Sequence, residues 1–364
     1  MIGKREFCGV LITLMTVKLL LSYPLELVKT CGNAAWIEML FVTALCLLVF
    51  WLTAAVYERK ANIIELADMY GGRTLRIIIG IIVFVILSFN MVAVLRIFPE
   101  SVKIILLPET DTDVITGVCV LTVIAGALIG IRSAARINYI FLPICGAVLA
   151  AFVIMLFSFY RTENILPIFG TRAKDIFLKG IGGLSFFSDI IVLNLLLGHA
   201  KNLGEARSAG FKAIITAGAA GTLLTLVYCL VYPYPVSEEF ILPIYQLTRM
   251  INLSSFFNRF EALFHFIWSI LVFFYGTIYL YMICFVWQTT FRLKYIKPLV
   301  LPAALLVSGI ALIPDSIIEA NELEHMAELA CFPAALLLPA VMGAVDKIAV
   351  HIKNKKESED ENEA

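Results

Sequence analysis

The chain has 364 residues, of which 61% are hydrophobic and 15% are charged, and its mean hydropathy is +0.93. Soluble domains are about half apolar and about a quarter charged, so this composition excludes a soluble domain and indicates a polytopic membrane protein. The formal net charge is zero and no basic stripe with interleaved aromatic residues occurs, which argues against a nucleic-acid partner.

Ten apolar runs of bilayer length, about 17 to 25 residues, can be placed along the chain. They lie near residues 7–24, 34–56, 74–97, 114–131, 137–159, 176–198, 209–232, 258–286, 298–314 and 327–346. The first run resembles a signal peptide, but it has no small-residue cleavage site and contains Lys18, so we expect an uncleaved helix. Residues 1–346 are predicted to form one transmembrane bundle, and residues 347–364 a disordered cytoplasmic tail.

The distribution of basic residues predicts the orientation of these spans. Lysine and arginine collect in cytoplasmic loops. With the N-terminus inside, 18 of the 28 basic residues fall in cytoplasmic segments, nine fall on the opposite side, and Lys18 lies within a span. The segment before the last span contains Asp315, Glu319, Glu322 and Glu324 but no basic residue, in agreement with an external position. Both termini are therefore predicted to be cytoplasmic.

The first span contains a lysine and a sequence that predicts a distorted helix. Lys18 lies near the middle of the run, where a lysine costs about 2.5 to 3.5 kcal/mol on insertion scales. The motif KLLLSYP then places Ser22 and Pro24 in the same helix. The lysine either extends to the interface or is buried with a partner, and its depth favours the second interpretation. Lys18, Leu19 and Ser22 are candidate ligand-binding residues.

The sixth span, KGIGGLSFFSDIIVLNLLLGH at residues 179–199, carries three glycines near one end and an acid within it. Glycine weakens a helix, and unwound backbone inside a membrane is tolerated only where protein or a water-filled cavity satisfies it. The glycines therefore indicate either a broken helix at a ligand site or close packing against a neighbouring helix. The candidate ligand-binding residues of this span are Gly182, Gly183, Leu184, Ser185 and Asp189.

Two further spans carry polar groups at membrane depth. The third span contains Asn90, and the eighth contains Tyr275 and Tyr279, which are added to the candidate ligand-binding set. Arg259 and Glu261 stand at the entry of the eighth span, where we expect a structural ion pair at the membrane edge.

Distortions in the first and sixth of ten spans suggest two halves of five. If the halves are inverted relative to one another, the broken helices lie side by side at the bilayer midplane with half-helix ends facing a small polar ligand. The N-terminal end of a half-helix carries positive partial charge, which suits a carboxylate. We expect an amino acid as the ligand, bound among spans 1, 3, 6 and 8.

Several of these stretches resemble one known family. They are the SYP ending of the first span with the AWIEML opening of the second, GLSFFSD in the sixth, LPIYQLTRMI before the eighth and, most specifically, NRFEALFHFIW at 258–268. The chain resembles the spore germination permeases, the B-type subunits of nutrient germinant receptors, within the amino acid–polyamine–organocation superfamily. That family typically has phenylalanine, glycine, phenylalanine and glutamate in the sixth span, and this chain has Phe187-Ser188-Asp189.

The resemblance implies a five-plus-five helical bundle in the inner membrane of a dormant spore. It implies a receptor that binds a small nutrient and signals with an A-type membrane subunit and a C-type lipoprotein. A proton-coupled amino acid transporter of the same fold, using Lys18 or Asp189, is the alternative. An enzyme is not expected, because no HExxH, GxSxG or Walker motif occurs. No cofactor or metal is expected either, since the eight cysteines are scattered singly and only four histidines occur.

Overall fold

The computed structural model describes the backbone of residues 3–169, 173–251, 260–314 and 316–363. Within these ranges all regular structure is helical, so the predicted all-α membrane class is confirmed. The α-helices are α1 (Lys4–Leu19), α2 (Tyr23–Cys31), α3 (Ala35–Val56), α4 (Ile63–Ile105), α5 (Thr112–Ile129), α6 (Ile131–Met155), α7 (Ala173–Leu178), α8 (Ile191–Leu195), α9 (Leu203–Val231), α10 (Pro243–Arg249), α11 (Phe260–Phe291), α12 (Lys297–Ala311) and α13 (Ile317–Glu363).

Eight helical segments in the described ranges are long and apolar enough to cross a membrane. The pair α2 and α3 forms one of them, and a segment from Ile176 to Leu195 that includes α8 forms another. Helix α1 has 16 residues and α12 has 15, so both are shorter than a usual span. The predicted number of ten spans therefore stays a prediction.

The first span is interrupted where its sequence predicts a distortion. Helix α1 ends at Leu19 and α2 begins at Tyr23, with Pro24 in the first turn of α2. Between them the chain tightens into hydrogen bonds that reach three residues back. Because proline has no N–H and its ring clashes with the preceding turn, a straight α-helix cannot pass through this position. The interruption begins two residues after Lys18.

The sixth span is helical but mostly not α-helical. After α7, the amides of Gly182 and Gly183 donate to carbonyls three residues back at 2.8 and 3.0 Å. A 3₁₀ segment then runs over the nine residues Gly182–Ile190 before α8 begins. Runs of 3₁₀ helix longer than three or four residues are uncommon and often mark a functional hinge. The segment is buried from Leu184 to Ile190, so protein rather than lipid surrounds it.

Several helices are longer than a bilayer is thick. Helix α4 has 43 residues and bends at Gly72, whose φ of 62° lies in the left-handed region that glycine adopts readily. Helix α13 has 47 residues and continues through the segment 347–363, for which the sequence predicts a disordered tail. The side chains of residues 353–363 lie outside the described residues.

The helices pack around the two interrupted spans. Helix α1 packs against α6 and α9, α4 packs against α11 and α13, and α13 also contacts the 3₁₀ segment. Small residues permit some of these close approaches: a Cβ at Gly126 on α5 would lie 2.3 Å from the Thr277 hydroxyl on α11. Packing within the chain is thus what Gly126 provides. Helix α10 also packs inward, since Ile244 and Leu247 are buried.

Candidate functional site

The side chain of Lys18 is buried and lies against two other spans. Its Nζ donates to Asn90 Oδ1 on α4 at 2.8 Å and to Ser188 Oγ in the 3₁₀ segment at 3.0 Å. The same atom lies 3.5 Å from Asp189 Oδ2. Lys18 is 3% exposed and Asp189 is fully buried, so this ion pair is enclosed by protein. We call Lys18, Asn90, Ser188 and Asp189 the Lys18 cluster.

Helix α11 contributes two tyrosines, one turn apart, that contact the Lys18 cluster. The Tyr279 hydroxyl donates to Asp189 Oδ1, and the Tyr275 hydroxyl donates to the Asn90 carbonyl at 3.4 Å. Their rings are stacked with centroids 4.4 Å apart, and both side chains are fully buried. Since the two residues are four apart on one helix face, a single helix supplies both contacts.

The electrostatics of the cluster are balanced. Transferring a charge from water into a protein interior costs several kcal/mol per ion unless partners compensate. Lys18 is compensated by one carboxylate and two neutral oxygen acceptors, and Asp189 by the ammonium group and a tyrosine hydroxyl. The arrangement therefore places one positive and one negative group side by side where the two interrupted spans meet.

A second polar group lies between the break in the first span and α13. Ser22 Oγ donates to Glu324 Oε2 at 2.7 Å, and both residues are buried. His325 forms an ion pair with Glu26 on α2 and is 49% exposed. These four residues with Lys18 and Tyr23 line a cavity of about 10 Å³. One water needs about 10 to 15 Å³, so the cavity is too small for an amino acid.

The structure brings five of the predicted ligand-binding residues into direct contact: Lys18, Asn90, Asp189, Tyr275 and Tyr279. Ser22 lies beside the cluster and donates to Glu324. Gly183 accepts a hydrogen bond from the Tyr23 hydroxyl at 2.8 Å, and a Cβ there would lie 2.8 Å from Val42 Cγ2.

The remaining predicted residues lie elsewhere. Leu184 and Ser185 are buried in the 3₁₀ segment, and Gly182 is near Leu329 of α13. Leu19 is directed toward Gly221 on α9, away from the cluster. Arg259 lies outside the described residues, so its predicted ion pair with the half-buried Glu261 stays a prediction.

Two residues of this region escape prediction from the sequence. Ser188 precedes Asp189 in the 3₁₀ segment, and both of them contact Lys18. The sequence places Glu324 in an external loop, since the apolar run of the last span begins at residue 327. Helix α13 begins at Ile317, well before that run, and it carries Glu324 inward to Ser22.

In the described part of the chain, no group of three or more His, Cys, Asp and Glu residues is placed to hold a metal ion. The side chains of the cluster are suited to hydrogen bonding and charge pairing with a small polar molecule.

Comparison with known proteins identifies the family. The model of the family described as "Spore germination protein" matches residues 6–320, which is most of the chain. The chain belongs to the spore germination protein family. A relative named as a putative spore germination protein, YfkT of Bacillus subtilis (strain 168), is 24% identical over 251 residues, which cover 67% of this chain and 68% of YfkT.

Solved structures of similar fold are membrane transporters. One is the manganese transporter of Eremococcus coleocola in complex with an aromatic bis-isothiourea substituted compound. It superposes with a TM-score of 0.58 at 13% identity, and the match covers 92% of this chain and 76% of the transporter chain. A single-residue mutant of the same transporter superposes with a TM-score of 0.55 at 14% identity, and the match covers 93% of this chain and 77% of the transporter chain. At such identity the likeness establishes the fold alone.

Proposed function

We propose that this spore germination family member is the membrane subunit of a nutrient-germinant receptor in the inner spore membrane. It binds a small nutrient, an amino acid, at the Lys18 cluster and signals to an A-type membrane subunit and a C-type lipoprotein. The observation that carries this proposal is the pairing of Lys18 with Asp189 at the point where the interrupted first and sixth spans meet.

The pair suits a zwitterion. An α-amino acid carries one carboxylate and one ammonium group, so Lys18 can bind the first while Asp189 binds the second. A neutral ligand would separate the pair without replacing either partner, and a buried charge left unpaired is strongly unfavourable. A divalent cation such as Mn²⁺ is disfavoured, because the Lys18 ammonium repels it and only one carboxylate is present in the cluster.

The described arrangement of the cluster is a closed one, since the adjoining cavity holds at most one water. An amino acid can enter only if the interrupted spans move apart. The ligand then shifts the population toward the open state by its difference in affinity for the two states. In this proposal the open arrangement of the first and sixth spans is what the partner subunits detect.

The test is a deletion of this coding sequence in the native host. Spores are exposed to single amino acids and other nutrients, and dipicolinate release is followed. We expect the response to a subset of nutrients to be lost and to return with the unchanged gene but not with an Asp189→Asn gene. Full responses in the deletion strain would overturn the proposal, above all if growing cells then show an uptake defect.

A proton-coupled amino acid transporter is the second candidate. It is favoured by the fold shared with solved transporters and by the presence of two ionisable groups in the cluster. Both functions predict amino acid binding, so binding alone does not separate them; flux across a membrane does.

A further inference from the structure

A cavity of about 250 Å³ lies on the far side of α1 from the Lys18 cluster. Helices α1, α6, α9 and α11 all contribute to its lining, which is almost entirely apolar. Leu19 and Leu20 come from the end of α1, and Trp268 comes from α11. We call this cavity the α6–α9 cleft, because α6 and α9 form its two sides.

The cleft opens at the outer surface of the bundle. Gly146 on α6 and Thr216 on α9 both line it, and both are exposed. Each lies about 20 Å along its helix from the first residue, at a rise of about 1.5 Å per residue. Both helices are among the segments long and apolar enough to cross the membrane. The opening therefore faces the hydrocarbon region of the bilayer and not the aqueous boundary.

The depth, lining and size of the cleft decide which molecule can occupy it. Water is not stable in an apolar cavity without polar partners, and a cavity of about 150 Å³ lined by apolar residues remains dry and binds benzene. The α6–α9 cleft is larger than that. An empty space of this size would leave its lining atoms without dispersion contacts. At this depth the surrounding medium consists of lipid hydrocarbon chains.

We propose that the α6–α9 cleft is a binding site for one acyl chain of a membrane phospholipid. The acyl chain enters between Gly146 and Thr216 and contacts Leu19 and Leu20 at the end of α1. Because this turn precedes the break in the first span, the lipid chain supports α1 from the side opposite Lys18. The site does not depend on the identity of the nutrient.

The test measures quenching of Trp268 by bromine atoms on lipid chains. The chain has four tryptophans, at positions 36, 51, 268 and 287. A variant retaining only Trp268 is reconstituted in nanodiscs of phosphatidylcholine with a dibrominated stearoyl chain. Trp268 is 4% exposed, whereas Trp51 is 57% exposed and serves in a second variant as the lipid-facing reference. We expect Trp268 to be quenched as strongly as Trp51, and weak quenching of Trp268 would overturn the proposal.

Two matched glycine variants locate the effect. A Cβ at Gly146 or at Gly117 meets no atom within 4 Å, and both glycines are exposed on spans. Gly146→Leu should close the opening and remove most of the Trp268 quenching, whereas Gly117→Leu on α5 should leave it unchanged. Equal effects of the two variants would contradict the assignment.

Two further experiments address the source of the acyl chain and the folding of the variants. Strong quenching by a dibrominated free fatty acid in unbrominated nanodiscs, with none from the brominated phospholipid, would overturn the lipid assignment. With all four tryptophans retained, native mass spectrometry should find one phospholipid fewer on the Gly146→Leu protein than on the Gly117→Leu protein. Equal lipid numbers would also overturn the proposal.

Discussion

Lys18 and Asp189 stabilise the interior only as partners. Removing one member of a buried ion pair leaves the other charge uncompensated and typically costs about 3 to 5 kcal/mol. Lys18→Met should therefore lower the free energy of unfolding by about that amount, and Asp189→Asn should lower it as well. The double variant should lose less stability than the sum of the two single losses, because no unpaired charge remains in the interior. Thermal unfolding of the purified protein in detergent measures all three.

The control for this cycle is Lys212→Met, which removes an exposed positive charge from α9. Substitutions at exposed sites usually change stability by no more than about 0.5 kcal/mol. The same variants also report on the ligand response, which all three should lose, because the proposed amino acid site needs both charged groups. Strictly additive losses of stability would show that the two groups act independently.

Gly183 allows the 3₁₀ segment to approach its neighbours closely. A Cβ there would lie 2.8 Å from Val42 Cγ2 and 3.1 Å from the Tyr23 hydroxyl, which donates to the Gly183 carbonyl. Gly183→Ala should therefore destabilise the protein by about 1 to 3 kcal/mol through overpacking and weaken amino acid binding. Gly117→Ala, with open space around the new methyl group, should be neutral or stabilising by up to about 1 kcal/mol. Equal melting temperatures for the two variants would contradict this account.

At the scale of elements, the two interruptions are predictable from the sequence and the details of their contacts are not. Pro24 and the glycines near residue 182 disfavour α-helix for local reasons, so the sequence alone indicates where the first and sixth spans break. The extent of the 3₁₀ segment depends on packing around it, which brings Ser188 to Lys18. Glu324 escapes prediction because a span is predicted from a run of apolar residues, and an acid falls outside such a run. Helix α13 nevertheless begins before Glu324 and buries it against Ser22.

The contact between Ser22 and Glu324 joins the break in the first span to α13. A hydrogen bond to a charged group contributes about 1.5 to 3 kcal/mol, so its loss should let the break open more often. Glu324→Ala should make the backbone amides around residues 20–27 exchange about tenfold faster or more with deuterium. The matched control is Glu322→Ala, which removes an exposed acid from the same helix. Unchanged exchange in the Glu324 variant would show that this contact does not hold the break closed.

At the scale of the whole molecule, the basic residues predict that both termini face the cytoplasm. Lys60 between α3 and α4 then faces the cytoplasm, whereas Glu322 near the start of α13 faces outward, and both are exposed. In a protein whose partly exposed Cys8 and Cys331 are replaced by serine, a membrane-impermeant maleimide should label Glu322→Cys in intact cells. It should label Lys60→Cys only after the membrane is broken. The reverse labelling pattern would show that the predicted orientation is wrong.

The two ends of the bundle differ in the polar contacts that they carry. On one side the small polar cavity, too narrow for an amino acid, is lined by the half-exposed His325 and by Lys18. On the other side Asp346, fully buried on α13, accepts a hydrogen bond from Tyr70 at 2.6 Å and pairs with Arg59 at 3.4 Å, which ties the α3–α4 region to α13. We expect the contacts of Asp346 to hold this end closed while an amino acid binds, which is sufficient for a receptor.

If the Asp346 contacts keep this end closed, the protein should bind its ligand without flux. Purified protein in proteoliposomes should bind a radiolabelled amino acid identified from the spore responses, and Asp189→Asn should abolish that binding. Accumulation inside the vesicles under an imposed proton gradient should equal that of protein-free vesicles. Asp346→Asn tests the closed end separately: if Asp346 alone blocks passage, this variant should admit ligand while the unchanged protein does not. Accumulation driven by the gradient in the unchanged protein, and lost with Asp189→Asn, would establish the transporter instead, because a one-sided receptor cannot concentrate its ligand.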